Sequence, residues 1–174
     1  MRRYGRAGFT LIELMVVIII VGLTLSIAVT QIDFLSPRSR LSAGARTIAS
    51  SIILAHNRAV VLGKSVVIQY NLAKGYHRLL LPPTGPDQPP QQLGIQMLAQ
   101  GVSFTAIITA TGKKYTPGVD LTVEISLSPM GTVMGHVVHL SNDRGDKVTI
   151  EVNPITCLVQ IKDGHLPLQI IEKS

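Results

Sequence analysis

The chain has 174 residues, 46% of them hydrophobic but only 4% aromatic, no Trp, and a formal net charge of +6. That length leaves room for one domain of modest size beside any membrane segment. Cys157 is the only cysteine, which excludes an intrachain disulfide. From Lys64 onward nine basic residues meet eight acidic ones, a balance of +1 that leaves this part without a strong nucleic-acid footprint. The basic excess sits instead at Arg2, Arg3 and Arg6, and around Arg38, Arg40, Arg46 and Arg58. A core this poor in aromatic residues must rely on Val, Ile and Leu, which suits strands.

Met1 to Gly8 is a short basic leader. Phe9 to Val29 follows as 21 residues, a helix of ~31 Å, about the thickness of a bilayer's hydrocarbon core. Glu13 is the single charged residue of that run. A charge at membrane depth costs at least ~2.5–3.5 kcal/mol, so such a carboxylate calls for a role. An ordinary secretory signal would use Ser26-Ile27-Ala28 as a small-x-small cleavage site, but Glu13 would interrupt its apolar region. A plain single-pass anchor would leave the order Gly8-Phe9-Thr10-Leu11-Ile12-Glu13 without a reason.

That order, after a basic leader and before an apolar helix, closely resembles the signature of type IV pilins and pseudopilins. The resemblance implies cleavage after Gly8 by a membrane aspartyl peptidase, methylation of the new amino terminus at Phe9, and a subunit-assembly role for Glu13. In that family the carboxylate meets the amino terminus of a neighbouring subunit, which is also the cheapest way to offset a carboxylate in lipid. The charge bias across the span is nearly tied, because Arg38, Arg40 and Arg46 follow it closely. The resemblance, not the charge, places the C-terminal part outside the cytoplasm.

Beyond Thr30 the sequence turns polar. Pro37 either kinks one long helix or opens a second, with Ser36 as its cap. Leu41, Ala45, Ile48, Ile52, Ala55 and Ala59 recur at spacings of four and three, one apolar stripe along a helix that ends at Gly63. Arg38, Ser42 and Arg46 lie on another face.

After Gly63 the pattern is that of strands. Ser65–Tyr70 and Tyr76–Leu81 are expected as a hairpin around Asn71 to Gly75. The proline-rich stretch from Pro82 to Gln92 is expected to lack regular structure. Val102–Ile108 is a strand and Thr111–Gly118 a loop. Leu121–Leu127 alternates with Leu121, Val123, Ile125 and Leu127 on one face. Ser128-Pro129-Met130-Gly131 turns, Val133–Leu140 is the next strand, and Ser141 to Gly145 turns again. Lys147–Val152 follows with Val148, Ile150 and Val152 inward. Asn153-Pro154 breaks that strand and Cys157–Ile161 resumes, with Cys157 as a small buried hydrophobe. Asp163-Gly164 signals a hairpin, and Leu166–Ile170 closes the chain as an edge strand because of Pro167.

Gly101-Val102-Ser103-Phe104, then Ile125 to Thr132, then paired strands ending at Ile161, resembles the GspH/FimT group of minor pseudopilins and minor pilins. One feature departs from that group: its last turn usually carries a glycine, and Ile155-Thr156-Cys157 has none. The expected fold is α+β, a long N-terminal helix (membrane half plus amphipathic half) packed on an antiparallel β-sheet domain. The divisions are a prepilin leader at 1–8, a transmembrane helix at 9–35, an amphipathic helix at 36–63 and a periplasmic β-rich domain at 64–174.

No catalytic constellation stands out. His56, His77, His136, His139 and His165 form neither an HExxH motif nor a Cys/His metal spacing. His136 and His139, three apart on a strand, point to opposite faces. Asn142, Asp143 and Asp146 read as a hairpin turn rather than a calcium loop, since the ligand pattern is missing.

The chain therefore reads as a non-enzyme without cofactor or metal: a minor pseudopilin of a type II secretion pseudopilus, a single-pass protein of the bacterial inner membrane. Its implied partners are other pilins and pseudopilins, the prepilin peptidase/methyltransferase, the inner-membrane assembly platform and membrane lipid. The alternatives are a FimT-like minor pilin in pilus biogenesis or DNA uptake, with Lys113, Lys114, Arg144, Lys147 and Lys162 as a nucleic-acid patch, and an exported domain with an ordinary signal peptide. Balanced charge past Lys64 favours the structural role.

Overall fold

The computed structural model describes residues 11–30 (side chains as far as Leu23), 37–85, 88–118 and 122–167. They fall into two units, one within residues 1–35 and one within 36–174. The leader, Gly8, Phe9, the Ser36 cap, Leu121 and the segment 168–170 of the closing strand lie outside the described residues.

The first unit contributes α1 (Leu11–Thr30). Its large apolar side chains from Leu11 to Leu23 are all exposed, from 46% at Val17 to 77% at Leu11.

The second unit opens with α2 (Pro37–Leu62). Pro37 stands at its first position, where the missing N–H costs nothing. Every residue of the expected stripe, Leu41, Ala45, Ile48, Ile52, Ala55 and Ala59, is fully buried. Burying Leu41, Ile48 and Ile52 stabilises the packing by ~1.5–3 kcal/mol each. The helix stops where the sequence places its end. Gly63 takes φ +60°, the Gly63 N–H donates to Val60 O and the Lys64 N–H to Ala59 O, both at 3.3 Å. This pairing closes a Schellman motif.

Among the described residues nine strands follow, all antiparallel. β1 (Val66–Asn71), β2 (Tyr76–Leu81), β3 (Gln91–Met97) and β6 (Thr122–Leu127) form one sheet in the order β3-β2-β1-β6. β4 (Val102–Thr109), β5 (Lys114–Tyr115), β7 (His136–Asn142), β8 (Lys147–Val152) and β9 (Val159–Asp163) form the second, β5-β4-β7-β8-β9. Helix α2 packs on both sheets, and its stripe joins Ile68, Tyr70, Ile125, Leu127, Phe104, Leu140 and Ile150 in one core.

The strand expectations hold at β1, β2, β4 and β8, and the described part of β6 buries Val123, Ile125 and Leu127 as its alternation requires. Four need correction. Gln91 and Gln92 belong to β3 rather than to the proline loop, and the loop from Thr111 to Gly118 contains β5. The strand expected from Val133 begins only at His136. Val133 makes an isolated bridge to Leu127 and donates its N–H to Pro154 O, while Gly135 O accepts from Ala110 N, so these groups serve the loop instead of a ladder.

The strand expected from Cys157 begins at Val159. Cys157 has φ +52° and donates its N–H to Asn153 O at 3.0 Å, a turn geometry no extended strand can include. Of the closing strand, Leu166 and Pro167 are irregular.

Candidate functional site

Of the residues that the sequence nominates for processing and assembly, Glu13 alone is described; Gly8 and Phe9 are not. Glu13 stands in the first turn of α1, the only acidic residue there, and its side chain is exposed. The N-terminal end of a helix favours a negative charge, by ~0.3–1 kcal/mol, so the carboxylate is well placed within its own chain. Among the described residues no helix is long and apolar enough to cross a membrane.

In the second unit the core is crossed by a polar pair. Tyr70 on β1 and His136 on β7 are fully buried, with Tyr70 Oη 3.2 Å from His136 Nε2. His136 Nδ1 lies 2.8 Å from the Met134 carbonyl, which can only accept. The proton is therefore on Nδ1, and the tyrosine hydroxyl donates to Nε2. Burial raises the Tyr70 phenol far above its usual range, with Cys157 nearby adding to the effect. Burial lowers His136 to about 4, against the opposing hydrogen bond to Met134. Phe104 meets the Tyr70 ring edge-on at 6.0 Å. The pair ties one sheet to the other.

A second polar link ties helix to sheet. His77 on β2 is buried, and its Nε2 lies 2.8 Å from Ser51 Oγ on α2. Desolvation lowers its pKa to about 4. Its Nδ1 has no partner among the described residues.

His136 and His139 point to opposite faces of β7, as their spacing requires. His139 stacks on His165 at 4.4 Å between centroids. Its Nε2 lies 3.1 Å from Leu166 O. Burial is the main cause that holds its pKa below the usual value, with charges on His165 and Lys114 adding to it. Beside it, Thr149 Oγ1 donates to Gly164 O at 2.6 Å and accepts from the Leu166 N–H. Glu151 pairs with Lys162 at 2.6 Å. Strict alternation on β8 would leave Thr149 and Glu151 in solvent, yet both are buried.

The outer face of the four-stranded sheet carries a ladder of side chains. Arg78 on β2 donates to Gln92 on β3 at 2.9 Å and to Gln69 on β1 at 2.5 Å. Gln69 donates in turn to Glu124 on β6 at 2.6 Å. Every strand of that sheet contributes one rung.

The candidate basic patch does not converge. Lys114 on β5 and Lys162 on β9 occupy opposite edges of the five-stranded sheet, four strand spacings or ~19 Å apart. Lys162 is held by Glu151, and Lys113 lies over the Tyr115 ring at 4.6 Å. Arg144 and Lys147 flank the turn in which Asn142 Oδ1 accepts from the Arg144 and Asp146 N–H groups. Among the described residues no three His, Cys, Asp or Glu side chains are grouped to hold a metal ion.

The fold of the second unit is the pilin-like one: a helix, α2, packed against a multi-stranded antiparallel β-structure. The profile of the prokaryotic N-terminal methylation motif matches residues 3–29. Among solved structures, the minor pseudopilin EpsH from the type 2 secretion system of Vibrio cholerae is similar in two crystal structures. In one the identity is 11%, with 71% of this chain and 96% of that chain covered and a TM-score of 0.53. In the other it is 10%, with 71% and 97% covered and a TM-score of 0.52. The solution structure of GspH from E. coli is 15% identical, with 72% and 88% covered and a TM-score of 0.49. No curated protein matches the chain significantly.

Proposed function

We propose that this chain is a minor pseudopilin, a structural subunit of a type II secretion pseudopilus that drives protein export. The observation that carries the reading is the methylation motif at residues 3–29 preceding a domain whose fold is shared with the minor pseudopilin EpsH. On this reading a prepilin peptidase cuts between Gly8 and Phe9 and methylates Phe9. Residues 9–35 then anchor the chain in the inner membrane, while residues 36–63 and 64–174 form the periplasmic domain. Glu13 meets the amino terminus of a neighbouring subunit, an ammonium that offsets a carboxylate held in lipid. Other pseudopilins and the inner-membrane assembly platform are its partners. The reading of a DNA-binding minor pilin draws less support, because the lysines it needs sit on opposite edges of a sheet.

Mass spectrometry of the native amino terminus tests the reading. A methylated chain starting at Phe9 is expected. A start at Val29 would make the apolar run an ordinary secretory signal and end the pseudopilin reading.

A further inference from the structure

The four sheet edges are not alike. β5 is two residues long, β9 carries Lys162 and Asp163, and β6 carries Glu124 and ends in the Leu127–Val133 bridge. Shortness, charge and coverage keep an edge strand from pairing with other chains. β3 lacks all three. Its seven residues include no charged side chain and no proline, and all but Leu93 are exposed. The one irregularity is a bulge at Gly94, φ +56°, opposite the register shift between Arg78 and Leu79. In an antiparallel ladder alternate residues turn their N–H and C=O groups away from the neighbour, so β3 presents such groups on the side opposite β2.

Beneath this edge a cleft of about 320 Å³ opens between α2 and the β2–β3 pair. Ser51, Leu54 and Arg58 line it from α2, His77 from β2, and Leu93 and Gln96 from β3. No carboxylate lines it, whereas two arginines do. Arg78 is engaged by Gln69 and Gln92, which leaves the exposed Arg58 as the cation at the cleft. Donors and one cation over an apolar floor of Leu54, Leu79 and Leu93 match a carboxylate on a short aliphatic stem.

We propose that β3 accepts an extended acidic segment of a partner protein, which adds a fifth strand to the sheet and sets a carboxylate beside Arg58 in the cleft. Main-chain pairing along the edge supplies the affinity, and the cleft supplies the choice of side chain, the division of labour usual in β-strand addition. The inference stands on the edge and the cleft and does not depend on the pseudopilin reading.

The test uses the full chain in detergent micelles and two blocked peptides, acetyl-Thr-Val-Glu-Val-Thr-amide and its Gln counterpart. Backbone amide shifts and hydrogen exchange of β3 are followed by NMR. Slowed exchange along Gln91–Met97 is expected, with the Glu peptide bound about three- to tenfold tighter than the Gln peptide. Arg58→Gln should erase that preference while keeping the pairing. Ile95→Pro should abolish binding of both peptides, and circular dichroism checks that each variant is folded. Equal affinity for the two peptides, or β3 amides unchanged at millimolar peptide, would overturn the proposal. So would protection of β3 that rises with protein concentration alone, which would assign the edge to a second copy.

Discussion

Acid should weaken this domain well before its carboxylates are protonated. His77 and His136 are both held near 4 by burial, against ~6.5 in the unfolded chain. Above pH 6.5 neither state binds the proton, and these residues cost nothing. Between 6.5 and 4 the unfolded chain is protonated while the folded one is not, so stability falls as pH falls. Below about 4 both states carry the proton and the loss levels off. A shift of this size costs roughly 3 kcal/mol per histidine, and with both residues titrating the slope approaches about 2.7 kcal/mol per pH unit. Domains of this size hold only ~5–15 kcal/mol in total, so the loss is decisive rather than marginal. His139, also shifted downward by burial, adds in the same direction. The assay is urea unfolding of the unit from Ser36 to Ser174, expected to fold alone, at pH 7.5, 6.0 and 5.0, above the range in which carboxylates titrate. His77→Gln keeps a partner for Ser51 and should roughly halve the slope. Unfolding midpoints that stay constant from pH 7.5 to 5.0 would refute the reasoning, because they would mean that both imidazoles gain protons without opening the core.

Tyr70→Phe keeps the ring but strands His136 Nε2 without a donor, so it should cost ~1–3 kcal/mol in urea unfolding, against almost nothing for Tyr115→Phe. Ile52→Ala, at a fully buried stripe position, should cost ~2–5 kcal/mol, whereas its neighbour Ile53→Ala should stay within ~0.5; equal losses would contradict the helix register. Cys157→Gly exchanges a small buried side chain for relief at a left-handed φ and should change stability by less than ~1 kcal/mol, while the β-branched Cys157→Val should cost more. On the proposed pseudopilin reading, Glu13→Ala should leave membrane insertion and Gly8 cleavage intact, yet lower crosslinking to partner subunits in membranes, with Glu13→Asp intermediate; normal crosslinking would remove Glu13 from assembly.

At Pro37 the sequence left a kink and a fresh start both open. The buried stripe of α2 and its stop at Gly63 were legible because their signal is local, a stripe of period 3.6 closed by a glycine. β2 and β8 were legible for the same reason. β3 was missed because Gln91-Gln92-Leu93-Gly94-Ile95-Gln96-Met97 has no alternation to read; an edge exposed on both faces needs none, and its pairing to β2 is a tertiary fact. The burial of Thr149 and Glu151 depends on residues 162 to 166 lying against β8, which no window around β8 contains. The absent glycine near Cys157 was visible, but its meaning was not. What the sequence did not show is that Cys157 itself takes the left-handed φ in this turn. The two-sheet division also escaped, since β6 leaves the second half of the chain to pair with β1. Of the candidate site, Glu13 could be read from its place in an apolar run, whereas the β3 edge and its cleft exist only once three distant segments meet.

The ladder from Gln92 through Arg78 and Gln69 to Glu124 has a mechanical consequence. Its bonds run across the strands, at right angles to a load applied along them. Sliding one strand past the next by a single residue moves it ~3.4 Å, farther than any of the ladder's 2.5–2.9 Å contacts can stretch and survive. Each of the three strand interfaces carries its own rung, so a slip at any one of them must break a side-chain bond as well as the backbone ladder. Under tension the sheet should therefore resist register slip at every interface and not at one pair of strands alone.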